Sequence, residues 1–214
     1  MSLPVIIVGA GAAGLMCAIS AAQNGKQVTV LDHANKAGKK ILISGGGRCN
    51  FTNLYTEPGN FLSENPHFCK SALKRHTQWD YIAQVDKVGL PWSEKKLGQL
   101  FSDNKREAIL NMLLDQCQEL GVQIQLDCKI EKIVKNDDDS FTLASSQGEL
   151  KCASLVIATG AMSFPTMGAT DFGHRIAKQF DLKLTDTRPG LVPFTFDAFE
   201  KNRFDGLSGV SMDS

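Results

Sequence analysis

The hydrophobic pattern at the start of the chain predicts a strand, a helix and a second strand. Residues 5–8 form a continuous apolar run, which is typical of a parallel strand that is covered on both faces. Residues 12–24 are rich in alanine and place Leu15 and Ile19 on one helical face. Residues 27–32 form the second strand. Together the three elements predict a βαβ unit.

Beyond this unit the pattern predicts further helices and a small antiparallel meander. The acidic run at 137–139 is expected at a hairpin turn of the meander, because no other ligand-type spacing supports a metal site there. An apolar run at 155–158 is typical of another buried strand. Helices are predicted at about 66–75, 78–87, 104–120 and 171–180, strands at 122–126, 130–134, 140–144 and 149–152, and an extended stretch at 191–196.

Residues 33–53 have little hydrophobic period and much glycine, lysine and asparagine, so we predict an irregular functional loop. The region of about 60–105 is predicted to be a helical insertion. We expect Trp79, Trp92 and Phe101 to pack in cores beneath that insertion.

Three glycines separate the first strand from the first helix at the spacing that a dinucleotide pyrophosphate needs. Gly9, Gly11 and Gly14 allow backbone N–H groups and a helix N-terminus to approach the phosphates. Asp32 closes the second strand, where a carboxylate accepts hydrogen bonds from a ribose diol. The same carboxylate would repel a 2′-phosphate, so the pocket should not hold NADP. A glycine-rich turn in an unrelated α/β protein is the alternative interpretation.

Composition narrows the class of protein. The chain has 214 residues, with 23 Lys plus Arg and 23 Asp plus Glu, and this balance argues against a nucleic-acid binder that relies on a basic face. Six cysteines occur without a CxxC pair or a zinc-like spacing, which fits reduced thiols and no metal site. No apolar run approaches the roughly 20 residues of a membrane span, and the N-terminus lacks a basic signal region. We therefore expect a cytoplasmic protein without a membrane partner.

NAD and FAD share the glycine motif, and two features favour FAD. The meander before residues 155–160 is foreign to a plain NAD domain, and the long glycine-rich loop after Asp32 suits a large ligand. Only one GxGxxG motif is present, so no separate NAD(P)H domain is predicted in this chain.

Three motifs together resemble the BaiN/YhiN-like FAD-dependent oxidoreductases. They are GAGAAG at 9–14, GKKILISGGGRCNFTN at 38–53 and VIATG at 156–160, of which the second is highly specific. The resemblance implies a glutathione-reductase-type flavoprotein fold of the α/β class. In that fold an FAD/NAD(P)-binding Rossmann-like domain combines the GxGxxG βαβ unit with an antiparallel meander, and FAD lies extended along it.

The resemblance also assigns residues to the parts of FAD. It implies pyrophosphate contacts at the glycine turn and after the strand at 155–158, a ribose contact at Asp32, ribityl and ring contacts within 40–50, and adenine contacts from the Ile130 backbone. The implied cofactor-binding residues are Gly9, Gly11, Ala13, Gly14, Asp32, Lys40, Ser44, Gly46, Gly47, Arg48, Cys49, Asn50, Ile130, Ala158, Thr159 and Gly160. No catalytic residue is assigned.

Two of these residues have a second interpretation, and a third, Arg48, is more difficult to explain in another way. Lys40 either stabilises negative charge on a reduced flavin or is a solvated lysine. Cys49 is either a redox centre or a packing thiol, and no partner cysteine lies near it in sequence. Arg48 is harder to explain without a ligand, because an unpaired buried guanidinium would be costly.

The resemblance predicts two units in the chain. Residues 1–190 would form the FAD-binding domain, and residues 191–214 would begin a second, substrate-facing domain that is truncated, since family members are roughly twice as long. A missing last strand would leave an exposed sheet edge, so we expect the chain alone to bind FAD weakly and to aggregate.

The implied function is hydride transfer through FAD to an unsaturated substrate, with NAD(P)H or another donor recharging the flavin. Members of the family have been linked to reduction of steroid-like enones, to amine oxidation and to reduction of uridine to dihydrouridine in ribosomal RNA. The substrate is therefore a small molecule or ribosomal RNA. Two alternatives stay open, namely a catalytically inactive FAD-binding fragment and an ordinary NAD-binding module.

Overall fold

The computed structural model of the chain describes residues 3–104, 107–163, 165–190 and 195–207. Its strands are β1 (Val5–Val8), β2 (Val28–Leu31), β3 (Asn50–Asn53), β4 (Trp92–Glu94), β5 (Gln99–Ser102), β6 (Gln123–Gln125), β7 (Ile130–Lys135), β8 (Phe141–Ser145), β9 (Gly148–Cys152) and β10 (Ser154–Ile157). Its α-helices are α1 (Ala12–Gln23), α2 (Lys39–Ile43), α3 (Lys70–Arg75), α4 (Gln78–Lys87), α5 (Ala108–Glu119), α6 (Phe172–Gln179) and α7 (Ala198–Arg203). None of the helices in these ranges is long and apolar enough to cross a membrane.

A four-stranded parallel sheet in the order β10-β1-β2-β6 forms the centre of the fold. Strand β1 lies between its two neighbours, with Val5 opposite Val28 on one side and Ser154 on the other. Helix α1 connects the parallel strands β1 and β2. The predicted βαβ unit is therefore confirmed.

Alternate residues of β1 enter two hydrophobic cores, because successive side chains of a strand point to opposite faces of the sheet. Ile7 joins the core that contains residues of α1 and α5. Ile6 and Val8 join the core that contains residues of the meander and of α6. Burial on both faces explains why β1 is a continuous apolar run and does not alternate with polar residues.

The predicted meander is confirmed as the antiparallel sheet β7-β8-β9. Leu143 of β8 pairs with Ile133 on one side and with Leu150 on the other, and these residues belong to the second core. The acidic run lies in the turn between β7 and β8, where Lys135 forms an ion pair of 2.7 Å with Asp139. A hairpin turn explains this run without a bound metal.

The region after β2 is more regular than the sequence pattern indicates. Residues 33–53 contain α2, a 3-10 turn and β3, so the prediction of an irregular loop is wrong for these elements. Strand β5 pairs with β3 and β4 in a three-stranded antiparallel sheet, and the region 60–105 thus contains strands beside its helices. These strands have only three or four residues each, too few for a period of two to stand out.

The three aromatic residues assigned to the insertion occupy different environments. Phe101 is buried, and Trp92 is half-buried with its ring 6.5 Å from that of Phe51. Trp79 is 58% exposed, so its predicted core position is wrong. Helix α4 instead turns Ile82 towards the interior.

Of the segment 191–214, residues 195–207 are described. The predicted extended stretch at 191–196 is described only from 195 onward, as coil. Residues 198–203 form α7, and the rings of Phe196 and Phe204 pack with their centroids 4.8 Å apart.

We expect Gly14 not to tolerate a side chain. A Cβ there would overlap the carbonyl oxygen of Gly9, although alanine has the better helix propensity. Gly14→Ala should therefore lower the free energy of unfolding by about 1–3 kcal/mol, measured by urea denaturation. Gly59→Ala is the matched control, because no atom lies within 4 Å of a Cβ built at Gly59. Equal stability of the two variants would contradict the close packing of α1.

Candidate functional site

A cavity of about 380 Å³ opens beside the carboxyl ends of β1, β2 and β10, where the first turn of α1 begins. This volume lies in the range of small-molecule pockets. The carboxyl edge of a parallel sheet is also where α/β proteins bind their ligands. The sequence-predicted site residues that line the cavity are Gly9, Gly11, Ala13, Asp32, Lys40, Ser44, Cys49, Asn50, Ala158, Thr159 and Gly160.

The glycine turn holds α1 close to the sheet and leaves one position open. A Cβ on Gly9 would overlap the backbone of Ala158, and a Cβ on Gly14 would overlap Gly9. A Cβ on Gly11 would meet no atom within 4 Å, and Gly11 lines the cavity. Gly11 caps α1 without a side-chain hydrogen bond, and the first turn of α1 has no acidic residue. The turn therefore offers amide groups and the positive end of a helix dipole to an anion.

Asp32 connects the glycine turn to the loop after β2. Its Oδ2 accepts a hydrogen bond of 2.7 Å from the Ala10 amide, and its Oδ1 accepts one of 2.8 Å from the Ala34 amide. An ionised carboxylate accepts about four hydrogen bonds, so capacity remains for ribose hydroxyl groups. Asp32 thus has a structural role, which the sequence pattern did not indicate, beside its predicted contact with a ribose.

Lys40 reaches from α2 to the segment after β10. Its Nζ donates a hydrogen bond of 2.5 Å to Ser163 Oγ, and both residues line the cavity. Lys40 is exposed, as expected for a solvated lysine, but its position also places a positive charge on the cavity wall. Ser163 was not predicted, because 123 positions separate it from Lys40 and no motif connects the two.

The segment from Ser44 to Asn50 turns sharply because it has successive residues in the left-handed region. The angle φ is +58°, +67° and +84° at residues 45–47, and it is +52° at Cys49. A Cβ at Gly45 would lie 2.6 Å from the Phe101 ring, so only glycine fits at this position. The turn brings Ser44, Cys49 and Asn50 to the cavity wall.

Gly46, Gly47 and Arg48 lie in the same turn but do not line the cavity. Gly46 and Arg48 are exposed, and Gly47 is half-buried. The exposed position of Arg48 removes the argument that its guanidinium needs a ligand because it is buried. The contacts of these three residues with FAD stay predictions.

Cys49 is a buried thiol on the cavity wall. Burial raises the pKa of Cys49, and a hydrogen bond with Ser44 opposes the shift only in part. A thiol with a raised pKa is protonated near neutral pH and is a poor nucleophile. This favours the packing interpretation of Cys49 over the redox interpretation.

Part of the cavity wall is apolar, and the motifs did not indicate it. Phe51 follows the glycine-rich turn, and its ring centroid lies 6.1 Å from that of Tyr81 in α4. Ile109 and Leu113 of α5 complete this wall. Helical periodicity could find the inward face of α5, but it does not distinguish a core from a cavity. Burial, together with the neighbouring Cys49, raises the pKa of Tyr81 to about 12, so its hydroxyl stays neutral.

The remaining predicted residues differ in whether they line the cavity. Residues 158–160 follow β10 and line the cavity, and the Ala158 amide donates to the carbonyl of Val8. Ile130 begins β7, is buried in the second core and does not line the cavity. Its backbone contact with adenine stays a prediction.

The chain is similar to curated proteins over nearly its full length. It is 50% identical over 209 residues to "Ribosomal RNA dihydrouridine synthase" of Escherichia coli (strain K12), a match that covers 98% of this chain and 52% of the relative. It is 26% identical over 211 residues to "3-dehydro-bile acid delta(4,6)-reductase" of Clostridium scindens, covering 97% of this chain and 50% of the relative. The chain thus spans about half the length of these curated relatives.

Solved structures share the fold at lower identity. The open conformation of a flavocytochrome c3 fumarate reductase has a TM-score of 0.56 and 20% identity, covering 83% of this chain and 40% of that one. This likeness and the parallel sheet confirm the predicted FAD/NAD(P)-binding Rossmann-like fold. Residues 3–213 match the family described as "HI0933-like protein Rossmann domain". The chain therefore belongs to this family, and its predicted membership of the BaiN/YhiN-like FAD-dependent oxidoreductases is confirmed.

Proposed function

We propose that this chain is the FAD-binding part of an oxidoreductase that reduces uridine in ribosomal RNA to dihydrouridine. The proposal rests on one observation about the cavity. Gly11, where an added Cβ would meet no protein atom within 4 Å, lines this cavity together with Asp32 and Lys40. The 50% identical relative named "Ribosomal RNA dihydrouridine synthase" supports the choice of substrate.

The residues of the cavity fit FAD in three respects. A pyrophosphate needs amides with no side chain in front of them, and Gly11 provides this at the start of α1. A ribose diol needs a carboxylate acceptor, and Asp32 lines the cavity. A tricyclic ring needs an apolar wall, and Phe51 and Leu113 are part of one.

When bound, FAD would supply the two-electron chemistry of the reduction. The chain's own residues hold and shield the reacting groups. Lys40, held by Ser163, stabilises negative charge at the cavity wall. Phe51, Ile109 and Leu113 exclude water from their part of the cavity.

The reaction class is reduction of a carbon–carbon double bond. Dihydrouridine differs from uridine by two hydrogens across one ring double bond, and the name of the bile-acid relative also describes a reductase that acts at numbered double bonds. We further assign NAD(P)H as the electron donor. The single GxGxxG motif of the 214 residues is assigned to FAD and not to this donor. A ribosomal RNA substrate also agrees with the predicted cytoplasmic location.

Residues 1–190 would hold the cofactor, and residues 191–214 would begin a substrate-facing unit. We also propose FAD contacts from the sequence-predicted residues that do not line the cavity, which are Gly14, Gly46, Gly47, Arg48 and Ile130.

A second candidate is an FAD-binding part that is inactive by itself. The chain spans about half the length of its curated relatives, and this favours the hypothesis that the isolated chain is inactive. Retained flavin without turnover would identify it.

The purified chain, loaded with added FAD and freed of excess cofactor, is expected to show a flavin absorption spectrum and to release FAD on denaturation. With NAD(P)H and uridine-containing ribosomal RNA it should form dihydrouridine, detected by mass spectrometry of the digested RNA. Omission of the nicotinamide donor is the control. Release of FAD without formation of dihydrouridine would favour the second candidate, an FAD-binding part that is inactive by itself. Release of NAD with no flavin would contradict the cofactor assignment.

Gly11→Ala is expected to weaken flavin binding more than it lowers stability. The new methyl group meets no protein atom within 4 Å, so the free energy of unfolding should fall only by the loss of a glycine N-cap, about 1 kcal/mol or less. The same group would occupy the space in front of the α1 amides, so we expect FAD affinity to fall by at least about tenfold, measured by fluorescence titration. Unchanged affinity would contradict pyrophosphate binding at this turn.

Cys49 is expected to be unnecessary for flavin reduction. Because burial raises its pKa, its thiolate becomes abundant only at alkaline pH, and alkylation by iodoacetamide at pH 7.5 should be slower than that of the less buried Cys69. Cys49→Ala should retain the flavin and its reduction by NAD(P)H. Loss of flavin reduction in a folded, flavin-loaded Cys49→Ala variant would restore the redox interpretation.

A further inference from the structure

Residues 65–79 concentrate positive charge in a chain whose total charge is zero. They contain Lys70, Lys74 and Arg75 and no aspartate or glutamate, and they are bordered by Glu64 and Asp80. Lys70 and Lys74 stand one helical turn apart on the same face of α3, and all three basic side chains are exposed. A local basic stretch of this kind attracts a polyanion even when the whole protein is neutral.

Large exposed rings flank the basic helix. Phe68 precedes α3 and is 82% exposed, and Trp79 lies in the first turn of α4. Gln78 Nε2 donates a hydrogen bond of 2.9 Å to the carbonyl of Leu54, which brings the start of α4 close to Tyr55, a residue that is 65% exposed. In single-stranded RNA recognition, bases stack on exposed rings while lysine and arginine hold the phosphates.

The same region adjoins the cavity on two sides. Asn50 and Phe51 line the cavity and begin β3, which ends just before Leu54. Tyr81 lines the cavity, and its ring centroid lies 6.3 Å from that of His76, the residue that follows α3. An extended ligand bound along α3 would therefore lie next to the apolar wall of the cavity.

We propose that a basic aromatic face, defined as residues 65–79 together with Tyr55, binds a single-stranded segment of RNA beside the cavity. The inference rests on the proposed function, because it names the surface that would hold the RNA substrate. Charge complementarity favours a polyanion as the occupant, since an apolar protein surface would leave the three basic side chains without anionic partners. The name of the 50% identical relative, "Ribosomal RNA dihydrouridine synthase", makes RNA the polyanion that we propose.

The test measures binding of a fluorescently labelled, single-stranded, uridine-containing RNA of about 12 nucleotides to the 214-residue chain by anisotropy. The test variant is Lys70→Gln/Lys74→Gln/Arg75→Gln. The matched control is Lys129→Gln/Lys132→Gln/Lys151→Gln, which removes three positive charges from exposed positions in and beside the meander.

The test variant should bind the RNA about tenfold or more weakly at low salt, and the slope of log affinity against log salt should fall by about 2. The control should change both quantities much less. Equal losses in the two variants would mean that only net charge matters, and this would overturn the assigned surface. Absence of RNA binding by a flavin-loaded parent chain would also overturn it.

A second pair of variants tests the rings. Phe68→Ala should weaken RNA binding by about fivefold or more through loss of stacking, whereas Leu182→Ala, at an apolar side chain that is 62% exposed just after α6, should not. A change of oligomeric state in Phe68→Ala with RNA affinity intact would identify a protein contact and overturn the proposal. FAD release and flavin reduction, measured on the same samples, report on the proposed function independently of the RNA surface.

Discussion

The close approach of α1 to β1 and β10 is the constraint on which the cavity depends. Gly9 and Gly14 lack side chains, so the carbonyl of Gly9 lies directly against Gly14, and the turn after β10 lies against Gly9. Asp32 holds the same turn from β2 through the amide of Ala10. If α1 moved outward by the width of a methyl group, Gly11 would separate from the residues after β10. The cavity would then no longer be enclosed by α1, the end of β2 and the turn after β10 together.

The sequence predicted the parts of the fold in which a single physical rule decides the outcome. Burial on both faces makes β1 a continuous apolar run, and the need for a tight strand-to-helix turn makes the glycine spacing visible. Strands β3, β4 and β5 were missed because they are short and are specified by pairing between distant segments. Trp79 was misplaced because its hydrophobicity does not reveal that α4 buries its other face.

In the candidate site too, residues that belong to one local motif were predicted, whereas residues from distant segments were not. Gly11 and Asp32 belong to a compact motif and were predicted to meet, as they do at the cavity. Ser163 and Tyr81 come from separate segments, and nothing in their local sequence indicates that they share a wall with Lys40 and Cys49. Motif reasoning therefore found the groups suited to phosphate and ribose, whereas the apolar wall needed the tertiary structure.

The position of β1 in the sheet also has a consequence for how the chain folds. Its two neighbours are β2, which follows shortly, and β10, whose Ser154 pairs with Val5 across about 150 residues. During synthesis one edge of β1 stays unpaired until β10 has left the ribosome, and Ile6 and Val8 lack part of their core for the same period. Non-local pairing of this kind slows folding and exposes apolar strand edges to aggregation. Strand β1 is thus completed about 150 residues after it is made, and chaperones that bind apolar segments have that interval in which to act on it.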